Sequence, residues 1–582
     1  MMHCSQAFGL LFLFASVIEA AVKPTIPLSP SGRTPALLSK RANASCFGNT
    51  ADDRSTWCDY DINTDYYLEG PDTGKTVEYW FELQNVTIAP DGTARQALTV
   101  NGSIPGPTII ADWGDTVVIH LTNSLTNNGS SLHFHGIRQN WTNSNDGVAS
   151  ITQCPTTPGD SVTYNWEATQ YGTSWYHSHY SLQAWEGVFG GIKINGPTSA
   201  NYDEDMGVLF VQDWTHDTAD SLYSYAEVNG PATQDTGLIN GTNISSDEEE
   251  GFRWNTTVES GKSYKIGLIN PSIDSFFDVS IDNHTLTIVS ADFVPITPYT
   301  TDVIGLGPGQ RYEVIITADQ SSVASDFWLR AVPDTFCSST NDMTDNIMGI
   351  IHYGDSTGTP TTSPWTTDSS YLNCQDPPIA SLVPIVAKNA GASADLQATR
   401  NVTVQQVTGT NVFKWYMNNI TFLSEYYDPT SLQVVNGNTT YSTQEAVINL
   451  PTPNDWMYLI IQETNTAPHP IHLHGHDFYI LASGSGTFNS SIALQTTNPP
   501  RQDVAMLPSA GYLVLAFQAD NPGIWLMHCH IGWHTSEGFA LQFVERYDEI
   551  AALYDKEELT DACDTWRDFE ETGQVVQYDS GI

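Results

Sequence analysis

Basic residues are what this 582-residue chain most lacks. Lys and Arg together number 21 against 66 Asp and Glu, a net charge of −45. A surface that negative repels phosphate backbones and anionic lipid, which argues against nucleic acid or a membrane surface as partner. Long apolar runs are missing too: beyond the first residues, no stretch is long and apolar enough to span a bilayer. Charged residues are only 15% against 40% hydrophobic, so the chain is no disordered acidic tail. At about 100–200 residues per domain, the length allows three or four domains. Helix formers are sparse, while Thr, Ser, Asn, Gly, Tyr and Trp are plentiful. That mix suits an all-β, secreted, extracellular and glycosylated protein.

The N-terminus carries export signals. Residues 1–20 read as a signal peptide, with an apolar core from Ala7 to Ile18 that is too short for a transmembrane helix. Residues 21–41 read as a propeptide ending in the dibasic pair Lys40-Arg41; the alternative is an exposed linker with a chance basic pair. Thirteen Asn-x-Ser/Thr sequons follow, among them Asn85, Asn101, Asn240, Asn283, Asn401 and Asn438. Of eight cysteines, Cys4 belongs to the signal peptide and Cys529 lies between two histidines. The remaining six allow three disulfides, with connectivity open from spacing alone.

Short alternating β-branched runs recur between Gly, Pro and Asn turns: Asp115 to Thr122, Tyr312 to Thr317 and Tyr512 to Phe517. This pattern predicts β-sandwich or barrel modules. The expected division is 42–200 and 201–356 for two modules, 357–399 for a linker rich in Pro, Ser and Thr, and 400–582 for a third. One helical pattern is expected near Tyr547 to Phe569, with Ile550, Leu553, Tyr554 and Leu559 on one side.

Eleven of the sixteen histidines fall in four clusters: His133-Phe-His135, His177-Ser-His179, His469-Pro-Ile-His472-Leu-His474-Gly-His476, and His528-Cys529-His530 with His534 close behind. On a strand, His-x-His presents both imidazoles on one face. Two such pairs near each end of the chain supply eight imidazoles, more than one metal can use, and so predict a polynuclear centre between modules. Cys529 points away from His528 and His530 and faces a different metal. With His469 and His534 it makes a His₂Cys set, that of a blue-copper electron-transfer site.

At these motifs the chain resembles the multicopper oxidases, and among them the ascomycete-type fungal laccases, over nearly its whole mature length. The resemblance implies three cupredoxin-like Greek-key β-barrels in series, in a monomer, with four copper ions. Type 1 copper would take His469, Cys529 and His534. Type 2 would take His133 and His472. One type 3 copper would take His135, His177 and His530, and its partner His179, His474 and His528. Phe539 stands at the axial position and cannot coordinate, which implies a high potential. Glu250 matches the acceptor of the phenolic proton, with Glu248 and Glu249 as neighbours and a solvated acidic loop as the plainer reading. Asp146 matches a carboxylate that delivers protons near type 2 copper. Ser181, Ser536 and Asp579 match residues of a channel gate closed by the C-terminal Asp579 to Ile582 plug. The implied disulfides are Cys46–Cys58, Cys154–Cys563 and Cys337–Cys374. Gly532 departs from relatives with an acid or Ala there.

The activity so implied is a laccase: phenolic molecules are oxidised one electron at a time while O₂ is reduced to water. The rivals are a ferroxidase or another multicopper oxidase, for which Glu537 is the nearby acid, and a non-enzymatic copper or electron carrier, which would need only the His₂Cys set.

Overall fold

The computed structural model describes residues 48–364, 373–392 and 397–582, with the backbone alone at 41 and 42. The expected signal peptide, residues 21–40 of the expected propeptide, Cys46 and residues 365–372 lie outside the described residues.

The β-branched alternation does form strands. In Thr116–Asn123, Val117, Ile119 and Leu121 turn inward and their neighbours outward. Each buried Val, Leu or Ile side chain contributes about 1.5–3 kcal/mol of transfer free energy. Arg311–Thr317 and Gly511–Gln518 are instead buried on both faces, because each lies inside a sheet covered from two sides.

Three pairs of sheets follow one another along the chain. The first pair has four strands in each sheet, the second and third have six and five. Each pair encloses its own core: Phe81, Ile119 and Trp166 in the first, Ile266, Phe277 and Val314 in the second, Leu459, Ile471 and Phe543 in the third. The pairing is mixed. Thr76–Ile88 runs parallel to Thr116–Asn123 and Trp456–Glu463 parallel to Gln397–Gln406, while most neighbours are antiparallel.

The stretch expected to be a linker is less free than its composition suggests. Gln397–Gln406 is already a strand of the third sheet pair. Ile385 donates its N–H to Pro295, Lys388 pairs with Asp65 at 2.6 Å, and Leu382 is buried. Asp376 joins the second and third sheet pairs, accepting from Gln310 Nε2 at 2.6 Å and from the Met506 N–H at 2.8 Å.

The late helical pattern is real but divided. Tyr547–Ile550 is one short helix and Lys556–Glu570 another. Asp555 separates them because its carboxylate caps the second, accepting from the N–H groups of Glu557 and Glu558. Cys563, on that helix, is bonded to Cys154, and Cys337 to Cys374. A helix over Ala219–Asn229 was not anticipated, although Thr218 caps it and Gly230 ends it.

Candidate metal centre

Strand register fixes where the histidines point. His133–Phe134 pairs antiparallel with Gly172–His177, and His133 stands opposite His177. In the third sheet pair His472 stands opposite His528 and Ile471 opposite Cys529. Since side chains alternate faces, His472, His474, His528 and His530 share one side, while Cys529 and His469 share the other.

On the Cys529 side, the sulfur lies 3.7 Å from His469 Nδ1 and 3.6 Å from His534 Nδ1. The two Nδ1 atoms are 3.2 Å apart. The outer Nε2 of His469 faces Glu463 Oε2 at 3.0 Å. The Trp415 ring closes the group at 4.7 Å from His469 and 4.4 Å from His534. Phe539 stacks on Trp415 and lies 5.0 Å from His469. Burial pushes the Cys529 thiol well above its ordinary pKa; the Ile531 main chain draws it back in part, and the nearby Glu463 and Asp274 push it up. Burial also brings His469 down to about 3. No protein cation is among these influences, so a bound metal cation is what would make Cys529 a thiolate.

On the other side, all eight imidazoles are buried. Their donor atoms fall into sets within 4.8 Å of one another, including His133, His135 and His177; His133, His472 and His474; and His179, His474 and His528. Six of the eight have an outer nitrogen tied down, His179 and His530 being the exceptions. His133 Nδ1 donates to the Asp146 carbonyl at 2.8 Å, His472 Nδ1 to the Asp503 carbonyl at 2.8 Å, His177 Nδ1 to Ser178 at 2.9 Å and His528 Nδ1 to Cys529 at 2.9 Å. His474 Nδ1 meets Asp146 Oδ2 at 2.9 Å, and His135 presents Nε2 to Asp503 Oδ1 at 3.2 Å. A neutral imidazole has one N–H, so a nitrogen donating outward leaves a lone pair inward. The inner Nε2 atoms of His133, His472 and His530 are buried with no partner. Burial, and secondly neighbouring imidazoles, hold His135, His179, His472, His474 and His530 well below the ordinary pKa. Inward lone pairs on uncharged rings, without protein partners, fit metal ions.

The other expected site residues distribute as follows. Asp146 is fully buried beside the eight-histidine group, with Oδ1 3.3 Å from His133 Nδ1. Asp579 is held by Ser181, the Gly581 N–H and Tyr426. The adjoining Ser580 donates from its N–H to the Ser536 carbonyl at 3.1 Å, so the tail brings Ser181, Ser536 and Asp579 together. Glu250 is not brought to either histidine group. It lines a separate cleft with Asp91, His216, Asp235 and Asp342, in an exposed loop where its N–H bonds Ser245 Oγ. At Gly532 a Cβ would lie 2.6 Å from the Trp185 ring, which explains the missing acid by space alone. His476 Nε2 lies 3.1 Å from Glu545 Oε2 and its ring packs on Phe517 and Trp525, away from both groups.

Four residues near the groups were not legible in the sequence: Glu463, Trp415, Asp503 and Arg311. None sits in a spacing pattern: Glu463 ends the strand before His469, Asp503 lies in a bend between two short strands, and Trp415 and Arg311 come from strands distant in sequence.

Comparison with known proteins follows the same lines. Multicopper oxidase family sequences match residues 82–199, 205–356 and 398–549. Laccase-2 of Botryotinia fuckeliana is 42% identical over 593 aligned residues, covering 99% of each chain. Laccase-1 of Melanocarpus albomyces is 37% identical, covering 92% of this chain and 89% of its own. The crystal structure of the laccase from Botrytis aclada superposes with a TM-score of 0.87 at 43% identity, over 92% of this chain and 100% of that one. Fet3p, a multicopper oxidase that functions in iron import, shares the fold with a TM-score of 0.75 at 24% identity, over 87% of this chain and 97% of its own.

Proposed function

The chain belongs to the multicopper oxidase family, and from that premise we propose a division of labour among its buried side chains. The activity is that of a laccase, the oxidation of phenolic substrates coupled to the reduction of O₂ to water. Its cofactor is copper. Four ions are proposed per chain, in a secreted monomer. His469, Cys529 and His534 would hold type 1, and His133 and His472 type 2. His135, His177 and His530 would hold one type 3 ion, and His179, His474 and His528 the other. When bound, copper supplies one-electron oxidation at the first site and four-electron reduction of O₂ at the second.

The rest falls to the chain. His534, at 8% exposure, is the most open of these ligands and is where a phenol would meet the type 1 site. Phe539 offers no donor atom, so His469, Cys529 and His534 alone would hold an ion there. The peptide bonds from Cys529 to His528 and His530 connect the two sites covalently. Asp146, next to His133 and His474, is proposed to hold and pass protons, and Ser181, Ser536 and Asp579 to gate the channel beneath the C-terminal tail.

The observation that carries this reading is the sulfur of Cys529 within 3.7 Å of two histidine Nδ1 atoms, with its flanking histidines on the opposite face. A ferroxidase would need carboxylates open to solvent near His534. Glu463 and Glu537 are both buried, which favours phenols. O₂ uptake by the copper-loaded protein, with a methoxyphenol and Fe²⁺ side by side at mildly acidic pH, is the test. Faster uptake with the phenol, at four phenols per O₂ and without peroxide, is expected. Faster uptake with Fe²⁺ would move the assignment to a ferroxidase.

A further inference from the structure

The middle sheet pair supplies none of the copper-type histidines, yet one of its charged side chains, Arg311, grips a carboxylate beside the eight-histidine group, and a second, Asp292, braces it. Arg311 opens the strand Arg311–Thr317 and is 1% exposed. Its guanidinium takes Asp503 in both hands, Nη1 to Oδ1 at 2.5 Å and Nη2 to Oδ2 at 2.6 Å. Asp503 then serves two histidines from different parts of the chain. Its Oδ1 faces His135 Nε2 at 3.2 Å, and its carbonyl accepts from His472 Nδ1 at 2.8 Å.

Asp292 completes the grip. Its Oδ1 accepts the Arg311 N–H at 2.9 Å and lies 3.1 Å from Arg311 Nη1. Its Oδ2 accepts from Gln502 Nε2 at 3.3 Å and from the Val504 N–H at 3.2 Å. Asp503 is thus held by its own carboxylate and by both of its neighbours. The surroundings are built to let the pair approach. At Gly136, directly after His135, a Cβ would lie 2.3 Å from Arg311 Nη2 and 2.4 Å from Asp503 Oδ2. At Gly309 a Cβ would lie 2.9 Å from the His530 ring. Both glycines have positive φ, 76° and 87°, so shape and backbone both call for glycine.

We propose that Arg311, braced by Asp292, is a positioning residue for the trinuclear site, acting through Asp503. A bidentate guanidinium fixes the plane of a carboxylate as a point charge cannot. With that plane fixed, Asp503 Oδ1 accepts the Nε2–H of His135, which leaves His135 Nδ1 as the inward lone pair, 3.5 Å from His177 Nε2. The same strand segment orients His472. The middle module is in this way part of the copper site without supplying a ligand. The inference rests on the copper assignment above.

The test compares Arg311→Met and Arg311→Lys with the parent. Copper per chain, the electron paramagnetic resonance signal of type 2 copper, the blue absorption of type 1 copper and O₂ uptake are read together. Loss of a group that orients a metal ligand lowers metal affinity or activity by about 10–100-fold. Arg311→Met is expected to lose copper or change the type 2 signal, with O₂ uptake down about 10–100-fold, while the blue absorption stays. Arg311→Lys is expected to recover part of the loss, since it keeps the charge without the fork. Parent-like copper content, type 2 signal and O₂ uptake in folded Arg311→Met would overturn the inference. If Arg311→Met does not fold, Arg311→Lys decides, since it keeps the charge and removes the two-point grip on Asp503. A weaker form of the same pattern supports the inference, and parent-like behaviour overturns it. A parent that takes up only type 1 copper would instead refute the trinuclear reading itself.

Discussion

Asp146 and Asp278 are both interior aspartates whose surroundings give them different work. Asp146 has a histidine N–H to accept, from His474 at 2.9 Å, and keeps Oδ1 beside His133. Asp278 lines a cavity of the middle module, with a buried Oδ1 that has no partner. Burial, and secondly the charge of Asp334, push its carboxyl from 3.8 up to about 8. The unfolded chain gives up this proton near the ordinary value, whereas the folded chain keeps it to about pH 8. Between those limits the unfolded state binds fewer protons, so this group's contribution is full below pH 4 and is lost as pH rises toward 8. Its side chain is partly exposed, so the effect is on the order of a few kcal/mol at most. Thermal unfolding at pH 5 and pH 8 measures it. Asp278→Asn is expected to narrow the gap in Tm between the two; an unchanged gap would show that Asp278 does not titrate as its burial implies.

Elements carry the next level. The helix Lys556–Glu570 buries Leu559, Cys563 and Trp566 and is tied to the first sheet pair by Cys154–Cys563, across 409 residues of sequence. Removing a native disulfide costs about 2–5 kcal/mol, through closure of a long loop in the unfolded chain. The double variant Cys154→Ser, Cys563→Ser is therefore expected to unfold at lower temperature under non-reducing conditions. An unchanged Tm would place the holding force in Trp566 packing alone. Strands and histidine faces were legible in the sequence because a period of two is local: His133 and His135, or His528 and His530, state their own geometry. The division of the late helix was not, because it turns on the Asp555 side chain choosing two N–H groups. The packing of the linker was not legible for a related reason. Pro, Ser and Thr disfavour regular structure, but they do not prevent Leu382, Asp376 and Lys388 from packing against three modules. Arg311 and Asp503, 192 residues apart, belong to a contact that no local pattern announces. Glu250 is the opposite case: its motif matched, but its loop faces the Asp91 and His216 cleft.

At the scale of the whole molecule, three cores hold two groups of candidate metal ligands. The first and third sheet pairs supply the eight imidazoles, the middle pair braces them through Arg311, and the third alone supplies the His₂Cys set. The net charge of −45 does not leave the carboxylates beside the histidines unmatched: Asp146 meets His474, Glu463 meets His469 and Asp503 meets Arg311. In the proposed arrangement the two groups bind copper separately and are joined through Cys529. The measurement that tests it most directly is copper per chain in the parent and in Cys529→Ser, with the blue absorption recorded on the same samples. Cys529→Ser is expected to lose one copper ion and the blue colour while the eight-histidine site keeps its ions. Retention of the blue colour, or loss of all copper from a folded Cys529→Ser protein, would contradict it.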